Sequence, residues 1–246
     1  MENLHYLLAY IFVLLSLALS RAEGVGIERE ILFSSLRTLF QLILLGYLLH
    51  YLLKLNSIFE YLAVFSLMSL LASFIFAERA KSFKLFLGAY LSISLSYLVP
   101  IVLLLGMKVL KPVSYEVIPF GGLIIGNTLN ALSLFYDRAK AEIKNRKDEI
   151  EAKVALGATL LQALFELIRD SIRMSVIPKL NWLKSAGFVH IPGVAVGMLV
   201  AGASPFKAVL FQVVILYTLL FSGIFSASML AFLGYKEILR KAFSES

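Results

Sequence analysis

Cysteine is absent from these 246 residues, which excludes a disulfide framework and any thiolate metal site. Charge is scarce as well: Asp, Glu, Lys and Arg make up 16% of the chain, against 60% hydrophobic residues and a mean hydropathy of +0.87. So little polar surface cannot cover a soluble globule, and the composition describes an all-α, polytopic membrane protein. No Gly-x-x-x-x-Gly-Lys-Ser/Thr loop is present to cradle a nucleotide phosphate, so any ATPase has to be borrowed from another chain. Catalytic groupings are missing too. His5, His50 and His190 are scattered, and no His-Glu-x-x-His pair, Gly-x-Ser-x-Gly elbow or paired intramembrane carboxylate accompanies them, which argues against an enzyme and leaves any metal ligands unknown.

What is present is a series of long apolar runs. A bilayer crossing takes about 20 mostly apolar residues, and seven stretches approach that: 4–20, 38–53, 58–77, 85–106, 117–135, 187–203 and 206–233. The first lacks a basic n-region and a good cleavage site, so it reads as a retained helix rather than a signal peptide. Basic residues segregate sharply between the two sets of connections. Nineteen of the 23 lysines and arginines fall on one side, ten of them between 136 and 184, and only Lys54, Lys108, Lys111 and Lys207 fall on the other. Positive residues stay cytoplasmic, so the N-terminus is expected outside and the C-terminus inside, in a multi-pass protein of the cell membrane. The net charge of +7 is then a topology signal and an attraction to membrane lipids, with no call for a nucleic-acid partner.

Residues 1–246 read as a single transmembrane domain with one elaborated cytoplasmic loop at 136–184. Residues 24–37 are expected to form an interfacial helix feeding the second span. The fifth span should continue as helix through 136–153, a stretch rich in Ala, Glu, Lys and Arg, until Gly157 breaks it. Leu161, Leu164, Phe165, Ile168 and Ile172 then recur at helical spacing, predicting an amphipathic helix that ends near Pro178 and either packs, anchors at the surface or docks a partner.

The spans are nearly free of ionisable groups, with Glu78 and Glu116 only at span ends. Ion-gradient transporters usually keep an acid or histidine within the bilayer, so a passive pathway or an externally energised transporter fits better. Neutral polar residues remain: Gln41, Asn127, Thr128, Asn130, Gln212 and Thr218. Each amide either bonds a neighbouring helix or faces a substrate pathway. Gly122 with Gly126, and Gly193 with Gly197, have the four-residue spacing of close helix approach. Pro192 and Gly193, then Gly202, Ser204 and Pro205, interrupt two helices as either a tight turn or the lining of a cavity, with His190 beside the first break.

Several of these pieces together resemble the FetB-like family of ABC-transporter permeases, implicated in bacterial iron export and related to plant membrane proteins of aluminium tolerance. The resemblance rests on Gln41 with Gly46, Gly126-Asn127-Thr128-Leu129-Asn130, Glu151 with Leu156-Gly157-Ala158-Thr159, Ile177-Pro178, Gly187 with Pro192-Gly193 and Gly197, Ala201-Gly202-Ala203-Ser204-Pro205, and Gln212. It implies a permease subunit, paired with a second copy of itself, whose Glu151, Ala152, Leu156, Gly157, Ala158 and Thr159 dock on a separate cytoplasmic ATPase. ATP and Mg would be bound there, and no cofactor by this chain. It also implies iron or another metal as cargo, with Gln41, Asn127, Asn130, His190, Met198, Ser204 and Gln212 as candidate pathway residues. The pattern departs at Val194-Ala195-Val196, where the family carries methionines, leaving Met198 as the nearest thioether. The alternative is a membrane scaffold that recruits an ATPase without transporting; polar residues converging on one cavity would favour transport over it.

Overall fold

A computed structural model describes residues 8–244, so residues 4–7 of the first expected span, and His5, lie outside the described residues. The chain divides into two units, at Leu55 and Asn56. In the first, a 3-10 turn over Leu8–Tyr10 leads into α1 (Ile11–Ala22), and α2 (Glu28–Leu52) folds back along it. Gly24 and Gly26 both take positive φ in the turn, 65° and 79°, which glycine adopts without a Cβ clash. Ser20 Oγ donates to the Glu28 carboxylate at 2.8 Å, and Tyr10 and Ser35 share a hydrogen bond of 3.2 Å, closing the hairpin. The expected interfacial helix over 24–37 is not a separate element. No helix breaker follows Glu28, and the apolar second span continues the same 25-residue helix.

The second unit packs α3 (Ile58–Arg79), α4 (Phe86–Gly106), α5 (Ser114–Asn145), α6 (Lys147–Ala155), α7 (Leu160–Ser185), α8 (Gly193–Val200) and α9 (Pro205–Ser244). Helix α3 starts at a capping box in which Ser57 Oγ accepts from the Phe59 amide and Glu60 accepts from the Ser57 amide. Helices α3, α5 and α9 run one way, α4 and α7 the other. At one end Arg79 pairs with Asp137 at 2.6 Å, the Tyr136 hydroxyl donates to the Ala80 carbonyl at 3.0 Å, and Ser82 donates to Glu237. These links register α3, α5 and α9 at the end that carries α6. At 1.5 Å per residue, the 32 residues of α5 and 40 of α9 reach about 48 and 60 Å, well beyond a 30 Å hydrocarbon layer.

Packing relies on small residues where backbones approach. A Cβ at Gly121 would lie 2.3 Å from the Phe65 ring, and one at Gly234 would lie 2.8 Å from Leu85. The glycine pairs singled out by spacing play a lesser part. Gly126, Gly193 and Gly197 have nothing within 4 Å of such a Cβ, and Gly122 meets only the flexible Met68 methyl, at 3.1 Å. Four buried serines satisfy themselves within their own helices: Ser73, Ser92, Ser96 and Ser171 donate to carbonyls four residues earlier.

Three expectations are corrected. Helix α5 ends at Asn145, before Gly157: Arg146 leaves helical geometry (φ −115°, ψ 32°), and α6 turns back to contact α7, which buries Ile150. Helix α7 does not end near Pro178 but runs through it to Ser185, held between α5 and α9 by a buried face of Leu164, Leu167, Ser171, Ser175, Val176 and Lys179. Finally, 187–203 is no single crossing helix. Its only regular element is the eight-residue α8, about 12 Å long. The second half of α7 lies beside Asn127 and Gly223, in the middle of the apolar runs of α5 and α9. A turn over 186–192, with Gly187 at φ 87° and the Gly187 amide bonded to the His190 carbonyl at 2.9 Å, joins α7 to α8. The molecule is thus a multi-pass helical membrane protein, in which five of the described helices, α2 to α5 and α9, are long and apolar enough to cross a bilayer.

Candidate functional site

Along α5, the residues Glu116, Pro119, Leu123, Asn127, Asn130, Leu134 and Asp137 recur every three or four positions and therefore form one longitudinal stripe. Cavities follow it. At the α6 end Asn130, Ser133 and Asp137 line about 370 Å³ with Arg79. In the middle, Asn127, Asn130 and Leu134 line about 360 Å³ with Ser175, Pro178, Lys179 and Trp182 of α7. At the far end a cavity of about 840 Å³ lies between α5, α8 and α9, lined by Tyr115, Phe120, Leu123, Met198, Lys207 and Phe211 among others. Asn130 and Leu134 border both of the first two, so polar groups are strung along one helix face from end to end of the second unit.

Lys179 is the residue that sequence reasoning missed. It was counted among the cytoplasmic basic residues, yet it is 8% exposed inside the bundle. Its Nζ donates to the Asn127 main-chain carbonyl at 3.4 Å, and no carboxylate lies within ion-pair distance among the described residues. Gly223 makes room for it: a Cβ there would sit 2.4 Å from the Lys179 Nζ. The signal was present as a continuation of the α7 stripe, since Leu164, Leu167, Ser171, Ser175, Lys179 and Trp182 hold the same spacing past the proline.

One turn beyond, Trp182 stacks on His190 with ring centroids 6.0 Å apart and planes 15° from parallel. His190 Nδ1 shares a hydrogen bond of 3.1 Å with Ser185 Oγ, while its buried Nε2 has no partner. The structure therefore brings Asn127, Asn130 and, through Trp182, His190 to one track. Met198 belongs to the far cavity. Gln212 is buried in α9 with its Oε1 unpartnered, as is the Thr128 hydroxyl. Ser204 is exposed before α9, which Pro205 opens; Gly202 adopts φ 87°, Pro192 precedes α8 and Gly193 begins it. Gln41 is exposed on α2 of the first unit. Among the described residues no cluster of three or more His, Asp or Glu side chains is placed to hold a metal ion.

A second feature is the elbow between α6 and α7. Glu151 and Ala152 are exposed on α6, and Leu156 at its end is 89% exposed. Gly157, at φ 95°, turns the chain, and the Ala158 amide bonds the Lys153 carbonyl at 3.0 Å. Thr159 then caps α7: its hydroxyl accepts from the Gln162 amide, and the Gln162 side chain accepts from the Thr159 amide at 2.8 Å. Lys153 clasps the two helices through Glu149 at 2.8 Å and Glu166 at 3.3 Å. The Glu149 hydrogen bond raises the Lys153 pKa, and Lys153 in turn lowers that of Glu149. A lowered acid stabilises above its usual titration range and loses that contribution as pH falls through the lowered value; a raised lysine loses its own as pH rises through the raised value. Amide exchange in α6, corrected for its intrinsic pH dependence, is expected to stay flat between about pH 5 and 10 and to quicken outside that window. The pair is exposed, so the change should be small and shrink with added salt.

Residues 3–239 match the family described as "Uncharacterised protein family (UPF0014)". Three relatives extend over almost the whole chain. "UPF0014 membrane protein YjkA" of Bacillus subtilis is 30% identical across 97% of this chain and 96% of its own length. "Probable iron export permease protein FetB" of Escherichia coli is 30% identical across 94% and 89%. "Protein ALUMINUM SENSITIVE 3" of Arabidopsis thaliana is 26% identical across 96% and 86%. No solved structure matches. With a match over nearly every residue and relatives of similar length, the chain belongs to the UPF0014 family of membrane proteins.

Proposed function

We propose that this chain is the membrane-spanning permease subunit of an ABC transporter, working with a second copy of itself and exporting iron or another metal. The elbow over Glu151, Ala152, Leu156, Gly157, Ala158 and Thr159 docks on a separate cytoplasmic ATPase, where ATP and Mg are bound. The end bearing α6 faces the cytoplasm and the Lys108 and Lys207 end faces outward, following the asymmetry of basic residues.

The observation that carries this reading is the continuity between elbow and cavities. The exposed Leu156 tip sits between two long helices, α5 and α7, and those same helices line the middle cavity through Asn127, Asn130, Ser175 and Lys179. Force applied at the elbow by a closing ATPase pair would shift α7 against α5 and change access to that cavity, a shear movement of packed helices. Convergence of polar groups on one face supports transport over a passive scaffold. The metal cargo is supported by the likeness to the Escherichia coli relative, a probable iron export permease.

The test is isolation of the tagged full chain from native membranes in mild detergent. A nucleotide-hydrolysing subunit is expected to come with it, with ATP turnover raised by ferrous or ferric iron. Intact chain recovered without an ATPase would overturn the permease reading, and an ATPase indifferent to every metal would overturn the cargo.

A further inference from the structure

We infer that the middle cavity is an anion site, in which the Lys179 ammonium receives a carboxylate or phosphate group of the ligand. The inference names the substrate class of the proposed pathway and rests on the permease reading for its part in transport; the binding itself is testable without it.

A cation in the interior of a membrane bundle is normally paired, because its desolvation is compensated only by an opposite charge or by several acceptors. Lys179 has neither. It is 8% exposed, its one acceptor is the Asn127 carbonyl at a long 3.4 Å, and no described carboxylate pairs with it. The amine carries three N–H donors, so two have no acceptor among the described residues.

The surroundings are built for that charge. Gly223 clears a space on α9 that any side chain would fill, since even a Cβ would lie 2.4 Å from Nζ. The cavity that Lys179 lines also carries Asn127 and Asn130, whose side-chain amides can donate to further oxygens: Asn127 gives one N–H to the Leu123 carbonyl at 3.2 Å and keeps a second. At about 360 Å³ it falls in the range of small-molecule sites, about 300–1,000 Å³. Trp182 forms one wall and presents a face for the ligand's carbon skeleton.

The same charge makes the cavity hostile to a bare metal cation. Like charges repel strongly where water is excluded. A metal passing this point therefore travels as an anionic complex, its ligands' oxygens turned towards Lys179, or the cargo is an organic anion itself. Both share carboxylate or phosphate oxygens as the recognised group, and the probes below separate them.

Trp182 is the only tryptophan in the chain and it lines this cavity, so its emission reports on the site alone. The purified full chain in detergent is titrated with citrate, inorganic phosphate, ferric citrate and ferrous chloride. A saturable change with citrate or phosphate, and none with ferrous ion at matched ionic strength, is expected. Tighter saturation by ferric citrate than by citrate would assign the cargo to a metal complex; the reverse order would assign it to a free anion.

Lys179→Met keeps the length of the side chain without charge and should raise the half-saturating concentration about ten- to hundredfold, as expected for loss of a charged hydrogen-bond donor. Lys179→Arg should stay within a few-fold of the original. Gly223→Ala, which pushes Nζ aside without removing it, should weaken binding as well and serves where Lys179→Met does not fold. Unaltered titration of Lys179→Met, saturation by ferrous ion with anions silent, or silence from all four probes would each overturn the site. None of these readouts involves an ATPase, so failure to isolate one and failure to bind anions are separate results.

Discussion

Gly121→Leu should prevent the second unit from reaching its native packing, so that the variant is degraded in the membrane or elutes as an aggregate. The first atom beyond Cα already collides: a Cβ at this position would lie 2.3 and 2.4 Å from two carbons of the Phe65 ring and 3.0 Å from a third. Phe65 cannot swing aside, because it is 1% exposed and packs on Tyr97 at 5.2 Å between centroids. The clash therefore passes to the backbones of α3 and α5, which must separate. Overpacking by a single methyl costs about 1–3 kcal/mol, so Gly121→Ala should survive with a melting temperature lowered by several degrees. Gly126→Ala is the matched control on the same helix. Nothing lies within 4 Å of its Cβ, and alanine is the better helix former, so its melting temperature should hold or rise. Equal melting temperatures for the two alanine variants would show that α3 and α5 do not meet at Gly121.

Much of this packing was legible in composition and periodicity, and the exceptions have a common physical cause. Apolar runs located α3, α4 and the membrane part of α9 because every position in them scores alike, whichever face it occupies. Helix α7 was legible as a helix, but its burial in the bundle was not, because its buried face carries Ser171, Ser175 and Lys179, which lower its hydropathy although the serines are internally satisfied, each bonding a carbonyl of its own helix at 2.7 Å. A scale that weighs residue identity cannot register a hydroxyl whose polarity is already spent on the backbone. The apolar run 187–203 misled in the opposite direction: it reads as a span by hydropathy, yet its regular structure is only the eight-residue α8. Candidate site residues divide in a similar way. Asn127 and Asn130 could be picked out as amides within an apolar run, and they meet in one cavity. Lys179, their neighbour in space, is remote in sequence and looked like one basic loop residue among ten. Gly223 could not be recognised at all from the chain, since its role is a space left for a side chain 44 positions away.

On the proposed docking, Leu156→Asp and Gly157→Pro should both release the ATPase from the elbow, by different routes that the same two measurements distinguish. Leu156 is 89% exposed, so an aspartate there removes no internal contact, and the melting temperature of the isolated chain should change little. An apolar side chain held out at the tip of an elbow is nevertheless the kind of anchor that fills a partner's pocket. Losing it costs about 2 kcal/mol or more at such a position, a fall in affinity of about thirtyfold. Gly157→Pro acts on the backbone. Proline fixes φ near −65°, against the observed 95°, and removes the amide that bonds the Val154 carbonyl at 3.0 Å. The turn must rebuild, and Glu151 and Leu156 are then presented at a different angle to Thr159 and α7. Gly157→Ala is the intermediate case: it strains φ by about 1–2 kcal/mol while keeping the amide, so it should weaken association less than the proline does. Glu151→Lys reverses a charge that is tied only loosely to Lys147, at 4.0 Å, and should weaken the complex without altering the fold. Retention of the ATPase by all four variants, at the level of the unaltered chain, would move the docking surface away from the elbow. Release by Gly157→Pro alone, with Leu156→Asp and Glu151→Lys both still bound, would mean that the partner reads the path of the backbone into α7 and makes no use of the exposed tip.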